Sequence, residues 1–117
     1  MSARTDALRE LTLLLNERKP VDVARFFTDD FRLDDPGAGV TRTGHDGARQ
    51  MLEAIVALAP CVRLEILDMF EAGDRVAVRW KVSGGDNRCW AMIAIYQFAG
   101  ARVVRDWGIS ARSPWAD

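Results

Sequence analysis

The chain changes its hydrophobic period once, from helical spacing in its first half to strict alternation in its second. Apolar residues three and four apart predict helix one from Asp6 to Glu17 and helix three from about His45 to Leu58. A second, short helix is predicted after Pro20, with an apolar stripe that runs through Phe27 to Phe31. Helices that precede a run of antiparallel strands are typical of an α+β fold with the helices on one face of a curved sheet.

The second half predicts a meander of four long strands, at 62–72, 76–83, 88–98 and 103–110. A short strand at 31–35 ends at Pro36, which has no N–H to donate to a ladder, and the segment GAGVTRTG after it is predicted to be a loop. Three helices across a bent sheet leave a cone-shaped cavity between the helices, the short strand and the concave face.

Composition limits the classes of function. The 117 residues predict one domain, 1–117. The 16 basic and 17 acidic residues nearly cancel and are scattered, so no nucleic-acid partner is expected. Two cysteines, Cys61 and Cys89, and one histidine are too few for a disulfide framework or a cluster of metal ligands, so neither a metal nor another cofactor is predicted.

The N-terminal segment and the length of the apolar runs indicate the cellular location. The opening MSARTDALRE is charged where a signal peptide would be apolar, and no apolar run approaches the ~20 residues needed to cross a bilayer. We therefore expect a cytoplasmic protein without a membrane partner.

Two segments carry a resemblance to a known superfamily. The run DVARFFTDDFRLDDP, residues 22–36, resembles the segment of ketosteroid isomerases that ends in an acidic dipeptide and proline. The hairpin GDRVAVRW and the final VVRDW are similar to SnoaL-like polyketide cyclases. The chain thus resembles the nuclear transport factor 2-like superfamily, from about Leu8 to Ser110. The resemblance implies a cavity with Asp35 as general base and with Asp106 as a second acid on the last strand.

The resemblance is incomplete at the positions that would stabilise an oxyanion. Ketosteroid isomerases place a tyrosine and a protonated aspartic acid there, and by the same register these positions are Leu11 and Ala94, which cannot donate a hydrogen bond. Losing such a donor typically costs ~10²–10³ in rate. Steroid isomerisation by the usual machinery is therefore not expected.

Strand alternation predicts which side chains face inward. It turns Asp35 inward and Asp34 to solvent. The register with the isomerases implies that Asp106 faces the same apolar pocket, where the charged form of a carboxyl is disfavoured. The residues predicted to line the site are Leu11, Phe31, Trp80, Trp90, Met92, Ala94 and Tyr96. Alternatives remain: Asp35 as a solvated strand end, Asp106 paired with Arg79 or Arg105, and the aromatic residues as plain core.

Two functions follow from these observations. One is an isomerase or cyclase that uses Asp35 as general base on a small apolar carbonyl compound. The other is a non-catalytic ligand-binding or protein-assembly module of the same fold. A homodimer through the sheet face is also predicted, because Ile93, Ile95 and Trp107 would otherwise form an exposed apolar patch.

Overall fold

The computed structural model describes residues 2–35, 39–57, 63–84 and 89–112. They form three helices and six strands. In chain order these are α1 (Ala3–Asn16), α2 (Val23–Phe26), β1 (Phe27–Asp35), β2 (Val40–Thr43), α3 (Gly44–Val56), β3 (Arg63–Ala72), β4 (Arg75–Ser83), β5 (Cys89–Ala99) and β6 (Arg102–Arg112).

The six strands make one curved, open sheet in the order β2-β1-β6-β5-β4-β3. The predicted α+β fold with helices laid on the sheet is confirmed. Each neighbouring pair is antiparallel except β1 and β6, which run parallel and place Leu33 opposite Asp106. This pair joins the first half of the chain to its last strand.

Two local predictions were wrong. The second helix has four residues and gives way to β1 at Phe27, so Phe27 and Phe31 belong to a strand, where their buried rings meet edge to face with centroids 4.9 Å apart. A spacing of four fits one face of a strand as well as one face of a helix.

The other wrong prediction was the loop after β1. Residues 40–43 form the edge strand β2, which pairs with β1, and Val40 and Arg42 alternate inward while Thr41 and Thr43 face out. Residues 36–38, together with Leu58 and Pro60, lie outside the described residues.

The first helix forms one wall over the sheet. It begins earlier than predicted, because Ser2 and Thr5 make a reciprocal capping box. Leu8, Leu11 and Leu15 form its buried face. At its end, Asn16 donates to the carbonyl of Leu64 (2.8 Å) and accepts from the amide of Leu64 (2.7 Å), which fixes the helix to β3.

The core lies between the helices and the concave face of the sheet. Strand β4 shows the predicted alternation, with Val76, Val78, Trp80 and Val82 buried on the concave side. No helix in the described part of the chain is long and apolar enough to span a bilayer.

Candidate functional site

A cavity of about 280 Å³ lies between the helices and the concave face of the sheet. Its wall is mostly apolar and is drawn from helices α1 and α3 and from all six strands. The lining includes Leu11, Thr12, Leu15, Phe27, Leu33, Asp35, Val40, Arg42, Met51, Leu52, Ile55, Leu64, Trp80, Met92, Ala94, Tyr96, Val103, Asp106 and Gly108. A mostly apolar concave space with a few polar groups is typical of a small-molecule site.

The acidic pair at the end of β1 is divided between the two faces of the sheet. Asp35 lines the cavity and is half-buried. Asp34 lies on the outer face, where its carboxylate accepts from Arg32 Nε (3.0 Å) and from Thr41 Oγ1 (3.1 Å). The hydrogen bond from Arg32 lowers the pKa of Asp34, which therefore remains an ordinary surface carboxylate.

Asp106 is the deepest acid of the cavity, with 3% of its surface exposed. It lies between Leu33 of β1 and Tyr96 of β5. Burial, and to a lesser extent the charge of Asp35, raises the pKa of Asp106 from 3.8 to about 7. Its Oδ1 atom is buried without a hydrogen-bond partner among the described residues.

The basic residues that could have neutralised Asp106 bind elsewhere. Arg79 pairs with Asp68 on the outer face of the sheet. Arg105 stacks on the ring of Trp107, with its Cζ atom 5.2 Å from the ring centroid, and lies 4.0 Å from Asp34. The buried carboxyl therefore keeps the raised pKa that an apolar environment produces.

Small residues flank the Asp106 carboxyl. Gly108 is two residues further along β6 on the same face, opposite Ala94 of β5. A Cβ atom at Gly108 would lie 3.3 Å from Asp106 Oδ1 and 3.7 Å from the Ala94 Cβ. A larger residue at either position would occupy the space directly beside the carboxyl.

Two aromatic residues bring polar hydrogens to the same wall. Trp80 and Tyr96 meet edge to face, with ring centroids 5.7 Å apart. Burial, and to a lesser extent the charge of Asp106, raises the pKa of Tyr96 well above 10, so its hydroxyl remains a hydrogen-bond donor at neutral pH. The indole Nε1 of Trp80 is buried without a hydrogen-bond partner in the part of the chain that the structure describes.

The remaining predicted site residues divide into three groups. Leu11, Met92 and Ala94 line the cavity beside the acids and the two aromatic residues. Phe31 is fully buried in the core against Phe27 and is not among the lining residues. The side chain of Trp90 lies outside the described residues.

Arg42 and Thr12 also line the cavity and were not predicted from the sequence. Arg42 lies in the segment that was predicted to be a loop. Only the V-x-R alternation of residues 40–42 could have indicated that its side chain faces inward. Thr12 is a polar residue on the apolar face of α1, where its hydroxyl donates to the Leu8 carbonyl at 2.7 Å. Such backbone bonding lets a threonine occupy an apolar wall.

Metal ligands are not grouped in the described residues: no three or more histidine, cysteine, aspartate or glutamate side chains come together there in a way that could hold an ion. The one histidine, His45, lies outside the cavity lining. Its Nε2 is 3.1 Å from the Phe27 carbonyl and 3.3 Å from Asp29 Oδ1.

The N-terminal helices packed on a curved, open sheet form the nuclear transport factor 2-like fold. The chain belongs to the family of the SnoaL-like domain, whose family model matches residues 8–106. No curated protein matches the chain significantly.

Solved structures share the fold at low sequence identity. A candidate polyketide cyclase from Acidithiobacillus ferrooxidans is 20% identical, with a TM-score of 0.79 over 95% of this chain and 89% of that one. A candidate ketosteroid isomerase from Kribbella flavida is 17% identical, with a TM-score of 0.78 over 95% and 78%. A protein of unknown function from Mesorhizobium loti is 19% identical, with a TM-score of 0.78 over 93% and 91%. Similarity at this level shows the fold alone.

Proposed function

We propose that the protein is a small enzyme that moves a proton beside the carbonyl group of an apolar compound, with Asp106 as the acid and base. The observation that carries this proposal is the buried Asp106 carboxyl in an apolar cavity, with a pKa of about 7. General acid–base catalysis is most efficient when the pKa of the catalytic group is near the working pH. The sequence favoured Asp35 for this role, and the burial of the two acids favours Asp106.

The reaction needs no group beyond the substrate and the cavity side chains. The ionised Asp106 takes a proton from the carbon beside the carbonyl. The C–H electrons form a C=C bond to the carbonyl carbon, and the carbonyl π electrons move to the oxygen, which gives an enolate. The Tyr96 hydroxyl is the donor proposed for that oxygen. In a substrate with a C=C bond next to that carbon, the intermediate is a dienolate, and Asp106 returns the proton to its far end. The C=C bond then moves into conjugation with the carbonyl, which is an isomerisation. In a cyclisation, the enolate carbon attacks a second carbonyl, and Asp106 protonates the alkoxide that results.

Asp35 acts on this chemistry through charge. It lies on the same face of the sheet as Asp106, and its negative charge favours the protonated form of Asp106. Asp35 is therefore proposed as a positioning residue that sets the working pH of the pair. Membership of the SnoaL-like family, and structural similarity to a candidate polyketide cyclase and a candidate ketosteroid isomerase, support the same reaction class.

The test is hydrogen–deuterium exchange at the α-carbon of 2-tetralone, an apolar bicyclic ketone, followed by proton NMR in D₂O. We expect the wild type to accelerate exchange above buffer, and the Asp106→Asn variant to lose a factor of about 10²–10⁴. The exchange rate should rise as the pH increases through about 7, because Asp106 ionises there. Asp34→Asn is the matched control on the outer face and should keep the wild-type rate. Exchange by Asp106→Asn at the wild-type rate would contradict the proposal.

A second candidate function is a ligand-binding or assembly module without chemistry. It is favoured by Leu11 and Ala94, two apolar residues that line the cavity at the positions where ketosteroid isomerases carry their oxyanion donors. The same experiment separates the two candidates. Binding of 2-tetralone, seen as a change in tryptophan fluorescence, without accelerated exchange would support the module.

A homodimer is part of the proposal, with the outer sheet face of a second copy as the partner. Phe70, Ala77, Ile95 and Trp107 lie opposite one another in a row across β3, β4, β5 and β6. Phe70 is 70% exposed, Ile95 42% and the neighbouring Ile93 46%. Pairing two such faces would remove a contiguous apolar surface from water.

A further inference from the structure

Arg42 is the single basic residue among the described residues that line the cavity. It lies on the edge strand β2 directly opposite Leu33 and shares the inward face with Val40. The side chain is half-buried, and no carboxylate among the described residues lies within ion-pair distance of its guanidinium. Its hydrogen bond runs from Nη1 to the side-chain oxygen of Gln50, at 3.0 Å.

This environment holds the guanidinium in place without neutralising it. The neutral amide of Gln50 orients the group and leaves its other donors available. The backbone of Arg42 is fixed by helix α3, since a Cβ atom at Gly47 would lie 2.9 Å from the Arg42 carbonyl carbon. A half-buried arginine at the edge of the cavity, whose guanidinium hydrogen-bonds to a neutral amide and to no carboxylate among the described residues, is suited to bind an anion.

The row across the sheet relates Arg42 to the proposed acid. Leu33 is the cross-strand partner of Arg42 on one side and of Asp106 on the other. The backbones of Arg42 and Asp106 are therefore two strand spacings apart, about 10 Å. Both side chains belong to the cavity lining, with the apolar Leu33 between them.

We propose that the cavity binds an apolar carbonyl compound that also carries a carboxylate, with the carboxylate on Arg42 and the carbonyl end at Asp106. The inference rests on the proposed function and extends it to the class of substrate. One guanidinium balances one negative charge and pairs with a planar carboxylate through two parallel hydrogen bonds. A phosphate dianion would need a second cation, and the described lining instead supplies two acids, Asp35 and Asp106.

The test compares 2-naphthoate with 2-naphthamide, two probes of nearly the same shape of which only the first is charged. Binding is measured by calorimetry at about pH 6, where Asp106 is mostly protonated. We expect the wild type to bind 2-naphthoate about tenfold more tightly, and added salt to reduce that preference. Arg42→Met should remove the preference and leave 2-naphthamide binding unchanged, which also shows that the variant is folded. Arg42→Lys should keep part of the preference.

Arg49→Met is the matched control, because Arg49 pairs with the exposed Asp46 and is not in the cavity lining. It should keep the full preference. Equal affinity of the wild type for the two probes, failure of the wild type to bind either probe, or a preference that survives in Arg42→Met would overturn the proposal.

Asp106→Asn separates this inference from the proposed function. It should abolish exchange in 2-tetralone and keep the preference for 2-naphthoate. If the wild type prefers 2-naphthoate and catalyses no exchange, the cavity binds acids without chemistry. If exchange depends on Asp106 and the wild type does not prefer 2-naphthoate, the proposed enzymatic function is supported and its substrate is uncharged.

Discussion

Replacing Asp106 by asparagine should change how the stability of the fold depends on pH. The folded carboxyl has a pKa of about 7, against 3.8 for its ordinary value. Between about pH 4 and pH 7 the folded protein therefore holds a proton that the unfolded chain has released. The contribution of Asp106 to the free energy of unfolding is fully present below the unfolded pKa of 3.8. It is lost as the pH rises through the folded pKa of about 7. Asparagine cannot ionise, so the variant lacks this loss.

The size of the effect follows from the two pKa values. Their difference, at about 1.4 kcal/mol per pH unit, corresponds to roughly 4 kcal/mol of lost stability above pH 7. At about pH 5 only part of this loss has occurred. We therefore expect the stability of Asp106→Asn relative to the wild type to increase by roughly 3 kcal/mol between about pH 5 and pH 8.

The assay is urea unfolding of both proteins at several pH values across this range. Asp34 and Glu71, whose pKa values are lowered by hydrogen bonds, are present in both proteins and cancel in the difference. Asp46→Asn, a change at a highly exposed carboxylate, should give a difference that does not vary with pH. The reasoning is refuted if the difference between Asp106→Asn and the wild type is the same at both ends of the range.

Four further substitutions test other parts of the structure. Asp35→Asn removes a like charge, so carboxyl NMR should show the pKa of Asp106 moving down, and an unchanged value would exclude the coupling. Gly108→Ala places a methyl group beside the Asp106 carboxyl, which should raise that pKa and slow 2-tetralone exchange; wild-type values for both would contradict the packing. Asn16→Ala removes both hydrogen bonds to β3 and should cost about 2 kcal/mol in urea unfolding, and a loss below about 0.5 kcal/mol would count against their importance. Ile95→Lys buries a charge in the proposed dimer contact, so light scattering should show monomers, and a wild-type protein that is already monomeric would exclude the dimer.

The elements with strong periodicity could be predicted from the sequence. Alternation in β4 identified its buried face, and the leucines of α1 identified the wall above the sheet. The four residues of β2 could not be found, because so short a segment becomes a strand only through pairing with β1. Because β2 was not predicted, Arg42 was not predicted to line the cavity, although it supplies the one positive charge of the described lining.

The candidate site was predictable residue by residue but not as a whole. Alternation separated Asp34 from Asp35. Which acid lies deeper depends on the register of β1 against β6, and no local pattern encodes the pairing of Leu33 with Asp106. The burial that raises the pKa of Asp106 therefore became visible only in the folded chain.

The parallel pairing of β1 with β6 also has a consequence for how the chain folds. Thr28 and Val103, which meet there, are 75 residues apart in sequence, whereas β3, β4 and β5 join through local hairpins. Closing so long a loop is entropically costly, and such contacts slow folding. We expect the hairpins to form first and β1 to dock late. The cavity would then form in the last step. A folding intermediate that precedes this step would have most of its sheet but no formed cavity.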